Sequence, residues 1–192
     1  LGGPPAVARH LQEAYAPGGK RDFDHSFMGE DVYGHPFTVI GTAPENVPPA
    51  RESCRPLGRH LDGCRIGFDL GASDRKVSAV VDGKAVFSEE VVWSPVGQTD
   101  PTYHYAEVRA ALLAAAAKMP RVDAIGGSAA GVYVDNEARV ASLFRGIPKE
   151  RYGEVRTLFK RLGDEFAVPL EIANDGDVTA LAGAMSLDDT GV

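Results

Sequence analysis

The sequence of this chain predicts an α/β fold with a mixed sheet of five strands and flanking helices. Apolar runs of strand length lie at residues 65–70, 76–81, 85–92, 123–127 and 169–173. Helical patterns lie at residues 103–119, at 149–166 and from 177 onward. The later strands therefore alternate with helices, which is typical of parallel pairing, whereas Asp82-Gly83 between the second and third runs indicates an antiparallel hairpin. Together these observations predict a sheet with both kinds of pairing.

Local sequence supports each element in turn. The third strand ends before Trp93, the only tryptophan, which we expect to pack in the core rather than to contact a ligand. The first long helix contains four consecutive alanines at residues 114–117, which favour helix formation and close packing. The last strand, at residues 169–173, reads as buried and leads into a helix rich in small residues.

Composition narrows the function classes. The chain has 192 residues, 44% of them hydrophobic, and a net charge of -7, which is enough to bury a core in one domain or one and a half. Its Lys and Arg are scattered, so we expect no nucleic-acid partner. No apolar run has the length of a membrane span and the first residues do not resemble a signal peptide, so we expect a cytoplasmic protein without a membrane partner.

The first third of the chain is rich in Pro and Gly. We predict that residues 1–62 form an irregular N-terminal extension with one short helix at residues 6–15. Residues 34–41 are predicted to form a strand that pairs onto a sheet edge. A DNA-binding winged helix-turn-helix would need several amphipathic helices with a basic face, and we identify one helix, which argues against a transcriptional repressor.

The two cysteines, Cys54 and Cys64, lie close together in sequence. In a cytoplasmic protein we expect free thiols rather than a disulfide. Although His25, His35 and His60 lie nearby, none of the compact ligand spacings of structural zinc sites is present, so we predict no metal-binding site of that kind.

The segment from Asp69 to Lys76 carries the first candidate site. A short strand delivers Asp69 to its end, and the small residues Gly71, Ala72 and Ser73 form the turn that follows. Backbone N–H groups in such a turn can approach phosphate oxygens closely, and a carboxylate beside them can hold a water bound to Mg²⁺. An ordinary hairpin would have the same sequence features, so this segment alone leaves both interpretations open.

The second candidate site is Asn174-Asp175, at the end of the last strand. In open α/β sheets, ligands bind at the carboxyl ends of the strands. Alternatively, Asp175 is the N-cap of the following helix and Asn174 a turn residue, which requires no function. If both segments belong to one site, we expect Asp69 and Asp175 to approach one cleft from neighbouring strands.

Taken together and in this order, these motifs resemble the N-terminal lobe of the actin-like ATPase superfamily, which has a ribonuclease H-like fold and includes the hexokinases. Within it they are most similar to the ROK family of bacterial sugar kinases and repressors. The family's Asp-x-Gly-Gly-Thr with a following Lys corresponds to Asp69–Ser73 with Lys76, and its Asn-Asp-Ala corresponds to residues 174–176. Residues 122–131 resemble the family's strand and Pro-Gly turn. The resemblance covers residues 65–192 and implies that residues 63–192 form this lobe.

The resemblance implies ATP-dependent phosphorylation of a sugar hydroxyl, with ATP and Mg²⁺ as cofactors, sugar and nucleotide as partners, and a possible homodimer. Asp175 would be the general base and Asp69 would position Mg²⁺ through water. Asn174 and Gly131 would contact the sugar. The nucleotide phosphates would lie against Gly71, Ala72, Ser73 and Lys76.

The sequence also departs from the family pattern. Ala72 replaces a Gly, and the stretch 141–146 lacks the Asn that the family uses for sugar. The resemblance implies a second lobe that would begin near Val192, so we expect this chain to lack that lobe and to be inactive when isolated. A non-catalytic sugar-sensing or scaffold protein of the same fold is the alternative.

Overall fold

The computed structural model of the chain describes residues 1–50 and 61–187. Contacts divide the chain into two compact units, Leu1–Pro56 and Leu57–Val192. None of the helices within the described ranges is long and apolar enough to cross a membrane.

About half of the described residues of the first unit are helical. Helix α1 spans Pro5–Ala14, as predicted. Helix α2 spans Asp22–Ser26 and continues into a π-helical segment, Phe27–Tyr33, so the prediction of a single helix is wrong. Two aspartates in the first turn of α2, which favour a helix N-terminus, are the sequence signal that could have predicted it.

The strand predicted at residues 34–41 is absent. Pro36 lacks a backbone donor, and Ile40 is 68% exposed, so this segment has little apolar surface to bury in a sheet. The sheet-like contact in this part of the chain is an isolated bridge between Gly2 and Thr42.

Within residues 61–187 the second unit contains seven strands, four α-helices and two short 3-10 helices, Ser142–Phe144 and Lys149–Arg151. The strands are β1 (Cys64–Leu70), β2 (Asp74–Val81), β3 (Lys84–Val92), β4 (Ala124–Ala129), β5 (Gly131–Val134), β6 (Glu137–Ala141) and β7 (Leu170–Asn174). The helices are α3 (Pro101–Ala116), α4 (Tyr152–Arg156), α5 (Leu158–Phe166) and α6 (Asp175–Ser186).

Five strands form one mixed sheet in the order β3-β2-β1-β4-β7, which confirms the predicted fold class. The first three strands of the chain are antiparallel neighbours. Asp82 and Gly83, both with positive φ (47° and 76°), form the predicted hairpin turn between β2 and β3. Strands β1, β4 and β7 are parallel, so their carboxyl ends meet at one edge of the sheet.

Three details differ from the sequence prediction. Strands β5 and β6 form a separate hairpin, whose turn at Asp135-Asn136 has positive φ (52° and 60°), and no element was predicted there. The helix predicted at residues 149–166 is interrupted at Thr157, whose hydroxyl donates to the Gly153 carbonyl (3.4 Å), a local bond that competes with the helix. Helix α6 begins at Asp175 rather than at 177, because Asn174 caps it.

The core lies on one face of the sheet, under α3, α4 and α5. Phe68 of β1 stacks on Phe159 of α5, with ring centroids 6.0 Å apart. Gly127 of β4 leaves room for this ring, since a Cβ there would lie 2.0 Å from Phe68 Cζ. Cys64 is a buried free thiol, while Cys54 and His60 lie outside the described residues.

Candidate functional site

Three strand ends bring the predicted motifs to the same edge of the sheet. Leu70 of β1, Ala129 of β4 and Asn174 of β7 lie in one register row across the parallel strands. The turn at residues 71–73 follows the first of these strands, the Ala130-Gly131 turn follows the second, and Asp175 follows the third. The predicted phosphate and sugar residues therefore share one edge.

The sequence led us to expect Asp69 and Asp175 on neighbouring strands, and this prediction is wrong. Strand β4 lies between β1 and β7, because β4 pairs with both of them. With strands spaced about 4.8 Å apart, the two backbones are separated by about 10 Å at this edge. Asp69 and Asp175 therefore lie at the same edge of the sheet, on either side of β4.

Backbone and indole groups hold the turn at residues 71–73. The Gly71 N–H donates to the Asp74 carbonyl (2.9 Å). Trp93 contributes two more bonds: its indole Nε1 donates to the Gly71 carbonyl (2.8 Å), and its backbone N–H donates to the Ser73 carbonyl (3.1 Å). Trp93 is buried in the core, as predicted, but it also fixes the turn.

The carboxylate of Asp74 already binds the polar side chains at this turn. Ser73 Oγ donates to Asp74 Oδ2 (3.0 Å), and Lys76 Nζ lies 3.1 Å from Asp74 Oδ1. The Lys76 ammonium and the Ser73 hydroxyl together hold the pKa of Asp74 below its ordinary value. The two side chains predicted to bind phosphate are therefore bound to an internal anion.

Asp69 lies at the end of β1, and Ser128 of β4 donates from Oγ to its Oδ1 (2.5 Å). Ser128 was not singled out from the sequence, although it lies in the stretch that resembles the family's strand and turn. Lys76 is the cross-strand partner of Asp69 on one side and of Glu90 on the other. The carboxylates of Asp74, Glu90 and Asp69 raise the pKa of Lys76, with Asp74 having the largest effect.

Acidic oxygen ligands at this turn are of the kind that Mg²⁺ accepts. Within the described ranges, no three His, Cys, Asp or Glu side chains converge as a ready metal site. Mg²⁺ in nucleotide sites is commonly held by one or two carboxylates, several waters and the phosphates themselves. Asp69 and Asp74 are the carboxylates on either side of this turn.

Asn174 joins two of the predicted motifs. Its Nδ2 donates to the Gly131 carbonyl (3.0 Å), and its Oδ1 accepts from the Gly176 N–H (2.8 Å) and so caps α6. A side chain at Gly131 would crowd Val140, whose carbonyl oxygen would lie 2.6 Å from the added Cβ. The alternative that Asp175 is the cap is wrong, since the cap is Asn174.

Asp175 is exposed at the first position of α6. Its Oδ1 accepts from the Gly176 N–H (3.0 Å), and its carbonyl accepts from the Thr179 hydroxyl (2.8 Å). Burial, then the charges of Tyr152 and Asp175, raise the pKa of Tyr133 in β5. The Asp175 carboxylate therefore lies at an accessible place on the sheet edge.

A buried histidine connects the segment before α3 to the segment after β6. His104 of α3 is fully buried, and its Nε2 lies 3.0 Å from both the Pro95 and the Leu143 carbonyl oxygens. Because both neighbours are acceptors, Nε2 carries the ring proton. Burial lowers the pKa of His104, so the ring is neutral. His104 was not singled out from the sequence.

The chain has a fold similar to that of proteins with solved structures. The chain is similar to an inorganic polyphosphate/ATP-glucomannokinase from Arthrobacter sp. strain KM, at 21% identity over 68% of this chain and 51% of that one, with a TM-score of 0.50. It is also similar to a ROK family transcriptional regulator, a homolog of the E. coli MLC protein, at 16% identity over 65% of this chain and 31% of that one, with a TM-score of 0.51.

No protein-family model and no curated protein matches the sequence. The chain spans about half the length of the kinase and about a third of the length of the regulator. At these identities the likeness shows the fold. The second unit of the chain therefore has the actin-like ATPase fold that the motifs predicted, and it resembles ROK proteins in that fold.

Proposed function

We propose that this chain forms the lobe of an ATP-dependent sugar kinase of the ROK type that supplies the general base and one phosphate-binding turn. The observation that supports this most is the register row Leu70, Ala129 and Asn174. It brings the turn at residues 71–73, Gly131 and Asp175 to one edge of the sheet. A similar fold in an ATP-dependent glucomannokinase adds support.

In the proposed reaction, Asp175 accepts the proton of the sugar hydroxyl that attacks the terminal phosphate of ATP. Phosphoryl transfer of this kind requires mainly positioning and charge neutralisation, so the orientation of the carboxylate matters more than its basicity. Asn174 maintains that orientation, because it caps α6 at the residue before Asp175 and ties the cap to Gly131. Exposure of Asp175 at the sheet edge makes it accessible to a sugar.

On the nucleotide side, the turn at residues 71–73 would offer backbone N–H groups and the Ser73 hydroxyl to the phosphates. Mg²⁺ bound to the nucleotide would neutralise phosphate charge beside Asp69. Lys76 would contact phosphate once it leaves Asp74, to which it is now paired at 3.1 Å. Nucleotide binding therefore requires an exchange of partners at Asp74.

The second candidate function is a non-catalytic sugar-sensing or scaffold protein. The occupied turn favours it, because Asp74 binds both side chains that would otherwise be available to phosphate. The similar fold of a transcriptional regulator shows that such a fold also occurs in a regulator. Sugar binding at Gly131 and Asp175 would remain in this alternative, while phosphoryl transfer would not.

One experiment separates the two functions. The full-length natural protein is incubated with ATP, Mg²⁺ and each of a panel of aldohexoses and N-acetylhexosamines, and both ADP and sugar phosphate are measured. Sugar binding without nucleotide is measured by calorimetry in parallel. A kinase produces equal amounts of ADP and sugar phosphate with at least one sugar, whereas a sensor binds a sugar and produces neither. Failure to bind or phosphorylate any sugar would contradict both a kinase and a sugar sensor and would leave a scaffold.

A further inference from the structure

We propose that Trp93 is a positioning residue for the phosphate-binding turn, and that its indole N–H sets the geometry in which the turn meets a nucleotide. The nucleotide part of this proposal rests on the proposed function. The effect on the turn itself does not, and it can be measured without any ligand.

Trp93 contacts the turn through two hydrogen bonds. From one residue at the end of β3, a side-chain donor reaches the first residue of the turn and a backbone donor reaches the third. Gly71 and Ser73 are thereby fixed through their carbonyl groups. The N–H of Ala72, which would face a phosphate, belongs to the same peptide unit as the Gly71 carbonyl and is oriented with it.

The indole is itself held rigidly. Trp93 is 5% exposed, and its ring stacks on Tyr103 with centroids 6.3 Å apart. The edge of His104 lies against it at 6.4 Å. His104 is anchored in turn by the carbonyls of Pro95 and Leu143. A ring packed on two sides with one polar atom has few ways to move, so its N–H is a fixed reference for the turn.

Packing alone does not require an indole at this position. The aromatic contacts with Tyr103 and His104 would be available to a phenyl ring as well, whereas the bond to Gly71 needs the Nε1–H donor. The two parts of the Trp93 side chain therefore have different roles: the ring stabilises the core, and the N–H positions the turn.

The test uses Trp93→Phe with Tyr103→Phe as its matched control. Tyr103 belongs to the same aromatic stack, and its hydroxyl accepts one hydrogen bond, from the Ser94 N–H (3.1 Å), rather than from the turn. Each substitution thus removes one hydrogen bond from the same stack. Only the first removes a bond to the turn.

The first measurement is amide exchange at Gly71, whose N–H closes the turn on the Asp74 carbonyl. A typical hydrogen bond changes an opening equilibrium by a factor of about two to ten. We therefore expect exchange at Gly71 to become about fivefold faster or more in Trp93→Phe. In Tyr103→Phe it should stay within about twofold of wild type. Equal exchange rates at Gly71 in all three proteins would overturn the proposal.

The second measurement is the affinity of the full-length protein for Mg-ADP. Trp93→Phe should weaken it about five- to tenfold and leave sugar affinity unchanged, while Tyr103→Phe should change neither. If wild type binds no nucleotide, the kinase proposal fails, but the exchange result still decides the role of Trp93. If wild type binds Mg-ADP and Trp93→Phe binds it equally well, the positioning role is wrong.

A second replacement guards against loss of folding. Because Trp93 is the only tryptophan in the chain, it can be replaced selectively by β-(3-benzothienyl)alanine, which has sulfur in place of the N–H and nearly the same shape. The same change in Gly71 exchange is expected with this residue. An unchanged exchange rate in the folded benzothienyl protein would contradict the proposal even if Trp93→Phe were unstable.

Discussion

The side-chain amide of Asn174 donates to the carbonyl oxygen of Gly131 across 3.0 Å, while its oxygen caps the helix that begins at Asp175. One side chain therefore joins the end of β7, the start of α6 and the turn after β4. The amide is suited to this task, since it is both donor and acceptor, whereas a carboxylate is only an acceptor.

The first prediction concerns Asn174→Asp. Asp caps a helix as well as Asn does, so the cap survives, but the donor to Gly131 is lost and two oxygens then face each other. We expect a loss of about 1–2 kcal/mol in the free energy of unfolding, measured by urea denaturation. Sugar affinity should fall with it, because Gly131 is released.

Asn136→Asp is the control for this change. Asn136 uses its side-chain oxygen to accept from the Ile172 N–H (2.9 Å), and a carboxylate can do the same. Its positive φ of 60° is also tolerated by Asp. The control should therefore leave the free energy of unfolding nearly unchanged. Equal losses of stability in both variants would show that the Asn174 donor is not the cause.

The second prediction concerns Asp74→Asn. This change weakens the hold on Lys76 and removes one negative charge from the turn, so the affinity of the full-length protein for Mg-ADP should rise about three- to tenfold at low salt. The gain should shrink as salt is added, because these groups are exposed to solvent screening. Calorimetric titration at two salt concentrations measures both effects.

Asp135→Asn makes the same charge change in the β5–β6 turn and should leave nucleotide affinity unchanged. A lower affinity in Asp74→Asn would instead mean that Asp74 is a ligand of the nucleotide's Mg²⁺, which would contradict its role as an internal competitor.

The third prediction is a pH dependence. His104 is fully buried and neutral in the folded protein, since burial lowers its pKa, while in the unfolded chain it takes up a proton near pH 6.5. The unfolded state therefore binds more protons as the pH falls below about 6.5, and stability decreases there by up to about 1.4 kcal/mol per pH unit.

Urea denaturation between pH 7.5 and pH 5 tests this slope. His104→Gln should reduce the slope, although it lowers stability at every pH because a buried bond network is altered. If the slope persists in His104→Gln, other titrating groups cause the pH dependence.

Much of the fold could be predicted from the sequence because it depends on local pattern. Apolar runs of strand length and the Asp82-Gly83 turn were sufficient for the five-stranded sheet and its first hairpin. The β5–β6 hairpin was missed because its four- and five-residue strands are short, although Asp135-Asn136 is a turn signal of the same kind. Strand order was partly missed because the position of β4 between β1 and β7 is a tertiary property.

The candidate site shows the same division. Asp69, Asn174 and Asp175 were singled out because they lie at or just after the ends of strands, which a sequence reveals. The roles of Trp93 and His104 could not be predicted, since each depends on a hydrogen bond to a backbone carbonyl distant in sequence, 22 and 39 residues away. Tertiary packing decides which carbonyl each of these side chains reaches, and it leaves no local pattern in the sequence.

The most direct test of the account is the rate of ATP-dependent sugar phosphorylation by full-length Asp175→Asn, compared with Asp177→Asn. Both residues are exposed aspartates in the first turn of α6, but only Asp175 follows the strand end and its cap. If Asp175 is the general base, its substitution should lower kcat by roughly 10²–10⁴-fold without loss of folding or sugar binding, and Asp177→Asn should retain activity within a few-fold. A folded Asp175→Asn protein that binds sugar and keeps its turnover within a few-fold of wild type would contradict the assignment.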